Sequence, residues 1–192
     1  MELRLDLHIH SERSFDGCMS LDEIVRLARE RGLNGVAICD HDRVLESVPE
    51  YDDLLIIPAI EVSTECGHLL GLFVTKPIET RQFSEAVTAI HAQGGLAVIA
   101  HPFEHSTDAN RLDDVMSRLD GVEMWNSRAD RKNRAANAMA LALAKKWDKP
   151  VTAGSDAHVP EEVGGGVTVL EADELSLSAV KAALLRGAKQ VE

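Results

Sequence analysis

Short apolar strands alternate with amphipathic helices along this chain, and that alternation limits the folds available to it. GVAICDHD at 35–42 begins as a nearly continuous apolar run, and LAVIAHP at 96–102 is another. Such runs are typical of strands buried on both faces of a parallel sheet. Segments with helical spacing, such as SLDEIVRLARERG at 20–32, lie between them. The order predicts an α/β fold with a mainly parallel sheet, either open and doubly wound or closed into a barrel.

Local signals predict several element boundaries. Ser20 and Glu23 form a capping-box pattern at the start of the first helix, and Gly32 ends it. The strands LLIIPAIEVSTE and GHLLGLFV are expected to pair across a turn at residues 66–67. RADRKNRAANAMALALAKKW is predicted as one long helix, PVTAGSDAH as the last clear strand, and SLSAVKAALLRG as the closing helix.

Length and charge restrict the class of protein. The 192 residues, 45% of them hydrophobic, suffice for one substantial core, so we expect a single domain over residues 1–192. Acidic residues outnumber basic ones by 32 to 20, and the formal charge of -12 repels polyanions. We therefore do not expect long nucleic acid as a partner. A small phosphorylated substrate stays compatible, because bound cations would offset part of the charge.

The expected compartment is the cytoplasm. Cys18, Cys39 and Cys66 are odd in number and form no Cys-x-x-Cys pair, which is typical of a reducing environment. The N-terminus shows no signal-peptide pattern, and no apolar run approaches the roughly 18 residues of a membrane span. We expect no membrane association, and the sequence gives no oligomeric state.

Polar side chains of metal-ligand type follow the apolar strands. In ELRLDLHIH, the leucines share one parity while Asp6, His8 and His10 share the other, so both imidazoles lie on one face. Carboxyl ends of parallel strands converge on one face of a barrel or open sheet. The other polar residues at predicted strand ends or starts are Asp40, His41, Glu61, His68, His101, Asn126, Asp156 and His158. Six of the eight histidines are therefore predicted to meet.

Divalent metal ions explain this predicted cluster. Burying many ionisable groups together costs several kcal/mol per group unless a charge partner is present. Imidazole and carboxylate ligands without an obligatory thiolate suit zinc, manganese or iron. Roughly eight or nine candidate ligands exceed the four to six that one such ion takes, so more than one ion is implied. Glu61 is a candidate to bridge two ions.

Other polar residues have ordinary structural explanations. His91, inside AVTAIHAQ, is expected to be a plain helix residue, and Asp16 alone fits a turn aspartate before glycine. His105, just past AHPF, is a candidate for substrate contact.

Five motifs resemble the successive motifs of the PHP (polymerase and histidinol phosphatase) family of metal-dependent phosphoesterases. They are DLHIHSERSFDG, AICDHD, AIEVS with GHLLGLF, AHP and GSDAH, and they occur in family order from residue 6 to 158. The resemblance implies a distorted (β/α)7 barrel with a trinuclear site. It implies a first ion held by His8, His10, Glu61 and Asp156, a second by Glu61, His68 and His101, and a third by Asp16, His41 and His158.

The implied activity is hydrolysis of a phosphoester by a metal-activated hydroxide at a site of two to three ions. Glu61 and Asp156 are the expected catalytic residues that orient the nucleophile, and His105 is a candidate acid. Arg128 and Asn126, just after a strand end, are expected to contact substrate. Arg131, Lys132 and Arg134 are expected on a solvated helix face, with Asp130 paired to Arg134.

Three alternatives stay open. One is a 5'-3' exonuclease or nucleotide phosphodiesterase, although the acidic balance and the short stretch between AHP and GSDAH disfavour long nucleic acids. Another is a non-catalytic metal-binding regulatory module, which usually shows loss of ligands. The last is an amidohydrolase-type reaction, since similar ligands serve cleavage of a C–N bond.

Overall fold

The computed structural model describes residues 1–104 and 109–192. Nine strands are described: β1 (Glu2–Ile9), β2 (Gly35–Ile38), β3 (Leu55–Thr64), β4 (Gly67–Leu72), β5 (Leu96–Ile99), β6 (Gly121–Asn126), β7 (Val151–Gly154), β8 (Thr168–Glu171) and β9 (Gln190–Val191). The α-helices in this part are α1 (Leu21–Glu30), α2 (Phe83–Ala92), α3 (Ala109–Met116), α4 (Ser127–Lys132), α5 (Ala136–Lys146) and α6 (Leu177–Arg186). A short 3-10 helix covers Pro160–Glu162.

The strands form one sheet in the order β7-β6-β5-β4-β3-β2-β1-β8-β9. β1, β2 and β3 are parallel to one another, as are β5, β6 and β7, while β4 is antiparallel to both of its neighbours. The end of β7 returns to β1: Asp156 N donates to His8 O at 2.8 Å, and His10 N donates to Ala157 O at 2.9 Å. The first seven strands therefore form a nearly closed barrel, which confirms the predicted α/β class and distorted seven-stranded barrel.

β8 and β9 were not predicted. β8 runs antiparallel along the first half of β1, with Glu2 opposite Glu171 and Leu5 opposite Thr168. The end of β7 instead lies beside the second half of β1. β7 and β8 therefore both neighbour β1, but at opposite ends of that strand. The segment TVLE contains only four strand residues after three consecutive glycines, which is too short for periodicity to identify.

Helix α1 begins and ends where its caps predict. The Ser20 hydroxyl accepts a hydrogen bond from the Glu23 backbone N–H at 3.2 Å, and Ile24 and Ala28 are buried on the inner face. Gly32 follows with φ of 66°, a left-handed conformation that glycine adopts without a Cβ clash.

The predicted long helix 128–147 is wrong, because the chain forms α4 and α5 with a break between them. Asn133 is extended there, with φ -143° and ψ 100°. Its amide donates to the Phe103 carbonyl at 3.0 Å, and its side-chain oxygen accepts from Ala135 N at 3.1 Å. An asparagine side chain that satisfies backbone groups outside a helix competes with helix continuation.

The β3–β4 hairpin confirms the predicted pairing and sets the register of two site residues. Ser63 lies opposite His68, and Glu61 lies opposite Leu70. Paired residues share a face and alternate residues do too, so Glu61, Ser63 and His68 lie on the same side. On β1, Leu3, Leu5 and Leu7 pack in an apolar cluster, which leaves Asp6 and His8 on the opposite face. In the described residues, no helix is long and apolar enough to cross a membrane.

Candidate metal centre

Nine predicted ligands lie together at the carboxyl ends of the barrel strands. They come from β1 and the loop after it, from the end of β2, from the β3–β4 hairpin, and from the ends of β5 and β7. In chain order they are His8, His10, Asp16, His41, Glu61, His68, His101, Asp156 and His158. All six histidines expected at strand ends or starts are therefore in one cluster.

Glu61 is at the centre of this cluster. Its Oε1 lies 2.8 Å from His68 Nδ1 and 3.0 Å from His101 Nε2. Its Oε2 lies 3.2 Å from both His10 Nε2 and His41 Nδ1. The two oxygens of one carboxylate thus face different imidazoles, as a bridging ligand requires.

Asp156 and Asp16 each lie close to two of the histidines. Asp156 Oδ1 lies 3.2 Å from His10 Nε2 and 3.5 Å from His158 Nδ1. Asp16 Oδ2 lies 2.9 Å from His158 Nε2 and 3.4 Å from His41 Nε2. The two ring nitrogens of His158 therefore face two different carboxylates.

The donor set fits divalent metal ions. Among the described residues, four overlapping groups have ligand atoms that all lie within 4.8 Å of one another. The groups are His10, Asp16, His41 and His158; His8, His10 and Asp156; His8, Glu61 and His101; and His41, Glu61 and His68. All consist of imidazole nitrogens and carboxylate oxygens, the mixture that suits zinc, manganese or iron. His8, His10, His41 and Glu61 each belong to two groups, and of these the Glu61 carboxylate is the side chain suited to serve two ions.

Neighbouring carboxylates raise the pKa of two imidazoles in the cluster. Burial alone would lower the pKa of His10, but hydrogen bonds with Asp156 and Glu61 outweigh it and raise that pKa to about 9. Burial likewise opposes protonation of His101, and Glu61 raises its pKa to about 9. Burial would raise the pKa of the Glu61 carboxyl, yet the charge of His8 and hydrogen bonds from His10 and His101 hold it well below its usual range. Metal ions and protons therefore compete for the same nitrogens.

Two of the candidate ligands have left-handed backbone conformations. Asp156 has φ of 55° and His101 has φ of 25°. Non-glycine residues rarely adopt these angles, and such strain clusters at functional sites. Both residues closely follow a strand, and both side chains belong to the cluster.

Two carboxylates that support the histidines were not predicted from the sequence. Glu123 of β6 is buried, with Oε1 2.9 Å from His8 Nδ1, and its Oε2 accepts from the His101 backbone N–H and the Asn126 amide, each at 2.9 Å. Glu104 Oε2 lies 3.1 Å from His101 Nδ1. A charged residue inside the otherwise apolar start of GVEMWN was the available signal for Glu123.

A cavity of about 250 Å³ opens over the cluster. Of the predicted substrate contacts, Arg128 lines it, whereas Asn126 is fully buried. The Asn126 side-chain oxygen accepts from Ala129 N at 2.7 Å, and its amide also lies 3.5 Å from Asp156 Oδ2. These bonds indicate a positioning role for Asn126, and direct substrate contact stays a prediction. His105 lies outside the described residues.

Lys132 is exposed, as predicted, but it also lines the cavity and pairs with Glu104. Its neighbours behave as expected. Arg134 pairs with Asp130 at 2.8 Å, and Arg131 reaches Glu162 at 2.5 Å. The spacing of four residues brings Arg128 and Lys132 to the same side of α4.

Two family models match the chain. One, described as the PHP domain, matches residues 6–146. The other, described as PHP-associated, matches residues 134–188. The first match contains seven of the nine clustered side chains, and the second contains Asp156 and His158.

Relatives are found among archaeal and bacterial proteins. An uncharacterized protein of Methanocaldococcus jannaschii is 29% identical over 170 residues, which are 84% of this chain and 68% of that protein. A probable phosphatase of Syntrophotalea carbinolica is 24% identical over 217 residues, covering 90% of this chain and 87% of that protein.

Solved structures share the fold. A two-domain protein of Bacteroides vulgatus, which contains a predicted PHP-like metal-dependent phosphoesterase, matches with a TM-score of 0.75 and 20% identity over 96% of this chain. The lesion-specific endonuclease Q of Pyrococcus furiosus matches with a TM-score of 0.70 and 17% identity over 100% of this chain. This chain spans 62% and 58% of those two proteins, respectively.

Proposed function

This chain belongs to the PHP domain family, and from that premise we propose that it hydrolyses a phosphoester of a small phosphorylated metabolite or nucleotide. The observation behind the proposal is the central position of Glu61, whose two oxygens face separate imidazole pairs. A carboxylate in that arrangement suits a cluster of divalent ions, the type of centre that catalyses in-line displacement at phosphorus.

The proposed cofactors are two to three divalent transition ions of zinc, manganese or iron. His8, His10, Glu61 and Asp156 would hold the first, Glu61, His68 and His101 the second, and Asp16, His41 and His158 the third. Bound there, such ions lower the pKa of water and neutralise charge on phosphoryl oxygens. The nine ligand-type side chains, all present in this chain, argue against a regulatory module that has lost its metals.

The side chains have separate roles in this proposal. Glu61 and Asp156 orient the attacking water by accepting hydrogen bonds from it, and Asn126 holds Asp156 in position. His105 is the proposed acid that gives a proton to the leaving oxygen.

Arg128 and Lys132 bind the phosphoryl group in this proposal. Both line the cavity above the cluster, and each is restrained by a carboxylate, Glu162 for Arg128 and Glu104 for Lys132. Cations beside the cluster favour a phosphate substrate over the neutral substrate of an amidohydrolase reaction.

A small substrate agrees with the charge of the chain. The formal charge of -12 opposes binding of a long polyanion. Endonuclease Q, one structure of which holds a 27-mer duplex substrate, shares this fold. The fold is therefore compatible with a nucleic-acid substrate, and the preference for a small substrate rests on the charge of the chain.

The test pairs metal content with turnover. Protein purified without added metal is analysed by elemental mass spectrometry, and hydrolysis of p-nitrophenyl phosphate and bis(p-nitrophenyl) phosphate is measured before and after chelation. Two to three transition ions per chain with chelator-sensitive turnover support the proposal, and the preferred ester separates phosphatase from phosphodiesterase. Metal without turnover of either ester contradicts it and favours a regulatory or amidohydrolase role. Absence of metal after reconstitution overturns the metal centre.

A further inference from the structure

Phe15 is an apolar side chain at the mouth of a charged cavity. It is 86% exposed, and its ring stacks on the imidazole of His41 with centroids 5.0 Å apart and an interplanar angle of 21°. The other described residues that line the cavity are polar or charged. An aromatic ring in this position contributes little to the core, because most of its surface stays in water.

The loop that carries Phe15 is held firmly to the barrel. The Ser11 backbone N–H and hydroxyl donate to the two oxygens of Asp40 at 2.6 and 2.7 Å. The Ser14 hydroxyl donates to Asp16 at 2.9 Å and accepts from His41 N at 3.2 Å. These bonds lie on both sides of the ring in sequence, so its position is set by the backbone.

Close packing at Gly17 adds to this restraint. A Cβ at Gly17 would lie 2.1 Å from the Ser11 carbonyl oxygen, so the chain doubles back on itself directly after Phe15 and Asp16. The backbone at Phe15 is therefore held in place and its ring stacks on His41, so little of the loop has to become ordered when a flat partner binds.

We propose that Phe15 is a stacking surface for an aromatic ring in the leaving group of the substrate, of the kind carried by a nucleoside monophosphate. The inference rests on the proposed phosphoesterase function and specifies its substrate class. One side of the Phe15 ring contacts His41, and the other is open to solvent. The phosphoryl group lies in the polar part of the cavity, beside Arg128, while the ring of the leaving group covers Phe15. Offset stacking on an aromatic side chain favours such a partner over a purely polar one.

Two probes isolate the contribution of the ring. Adenosine 5'-monophosphate and ribose 5-phosphate present the same primary phosphate ester, and only the first has a base. For the metal-loaded protein we expect kcat/KM to be roughly 5- to 150-fold higher for the nucleotide. Phe15→Leu should remove this preference while leaving hydrolysis of ribose 5-phosphate nearly unchanged. Phe15→Trp should retain it, and Leu185→Ala, at another exposed apolar residue, should not alter it.

The outcomes separate this inference from the proposed function. Hydrolysis of both probes at equal efficiency, or an equal loss for both in Phe15→Leu, overturns the stacking surface and leaves the phosphoesterase intact. If neither probe is hydrolysed, calorimetric binding to the metal-loaded protein decides. The inference is supported if Phe15→Leu weakens binding of the nucleotide but not of ribose 5-phosphate. It is overturned if the two probes bind equally well, both to the unsubstituted protein and to Phe15→Leu. Tryptophan emission gives a readout that needs no turnover. The nucleotide, but not ribose 5-phosphate, should quench emission more in Phe15→Trp than in the unsubstituted protein, which contains only Trp125 and Trp147.

Discussion

The Nδ1 atom of His8 lies 2.9 Å from Oε1 of Glu123, and both side chains are buried. The contact leaves the other ring nitrogen of His8 directed at Glu61, 3.4 Å away, and at Asp156, 3.6 Å away. A carboxylate on the far nitrogen fixes the tautomer and the orientation of a metal-binding imidazole. Glu123 therefore orients His8 so that Nε2 is the nitrogen that would bind a metal ion.

Replacing this carboxylate should weaken metal binding. Glu123→Gln retains the volume but removes the charge, so we expect metal affinity to fall by about 10- to 100-fold. Competition with a chromophoric chelator measures the change, and Glu79→Gln, at an exposed position, is the control. An unchanged metal affinity in folded Glu123→Gln would show that the Glu123 charge is not needed to orient His8.

Most of the cluster was predictable because its members lie at the ends or starts of predicted strands, whereas Asp16 was assigned only through the family resemblance. His8 and His10 share a parity within one strand, and Asp156 and His158 closely follow another. Glu123 is different, since its role depends on a contact with a residue 115 positions away. A single acidic residue in the apolar segment GVEMWN indicates that its carboxylate has a hydrogen-bonding or charged partner. Which side chain is that partner depends on the order of the strands in the barrel.

Removal of Asp156 should abolish hydrolysis. Asp156→Ala deletes an oxygen that lies 3.2 Å from His10 Nε2 and leaves the buried imidazoles with less negative charge. We expect turnover of a phosphomonoester to fall to background, with near-native circular dichroism. Asp173→Ala, which removes an exposed carboxylate, should keep full activity. Full turnover in folded Asp156→Ala would contradict the catalytic assignment.

Metal affinity should increase with pH. The pKa values of about 9 for His10 and His101 mean that both imidazoles are protonated at pH 7 in the metal-free protein. A metal ion needs the neutral imidazole, so binding must displace these protons. For each displaced proton, apparent affinity should rise about 10-fold per pH unit until the pH reaches those values. Activity at limiting metal should accordingly fall at acidic pH.

Titrations at pH 6, 7 and 8 measure this slope, and calorimetry in buffers of different ionisation enthalpy counts the protons released. His91→Gln should leave the slope unchanged, because His91 pairs with Asp120 on the surface. An affinity that does not vary with pH would argue against histidine ligation.

Arg128 and Lys132 should affect substrate binding more than metal binding. Replacing each with methionine removes a cation from the cavity, and we expect KM for a phosphomonoester to rise about 10-fold for each, as for loss of one charged hydrogen bond. Elemental analysis should show unchanged metal content, and Arg134→Met, at the exposed pair with Asp130, should be neutral. An unchanged KM in both cavity variants would remove them from the substrate site.

The position of Lys132 also explains why its role was not predicted. As part of one long helix, it would belong to a charged outer face with Arg131 and Arg134. The break at Asn133 ends α4 immediately after Lys132, and the bond from Asn133 to Phe103 ties this end to the segment after β5. Asparagine is tolerated within helices, so its presence alone does not predict the break; the bonds that Asn133 makes to Phe103 and Ala135 in the fold accompany it.

Gly154→Ala should disturb the proposed metal centre by displacing His8 and Glu123. A Cβ at residue 154 would lie 2.3 Å from His8 Cβ and 2.7 Å from Glu123 Oε1, so these two side chains would have to move apart. We expect a loss of about 1–3 kcal/mol in unfolding free energy from overpacking, together with weaker metal binding. Gly32→Ala is the matched control, because its φ of 66° costs about 1 kcal/mol but nothing lies within 4 Å of the new methyl group. Chemical denaturation and metal titration of both variants should therefore show lower stability in each, but lower metal affinity only in Gly154→Ala. Equal metal affinity in the two variants would mean that the contact between His8 and Glu123 tolerates displacement.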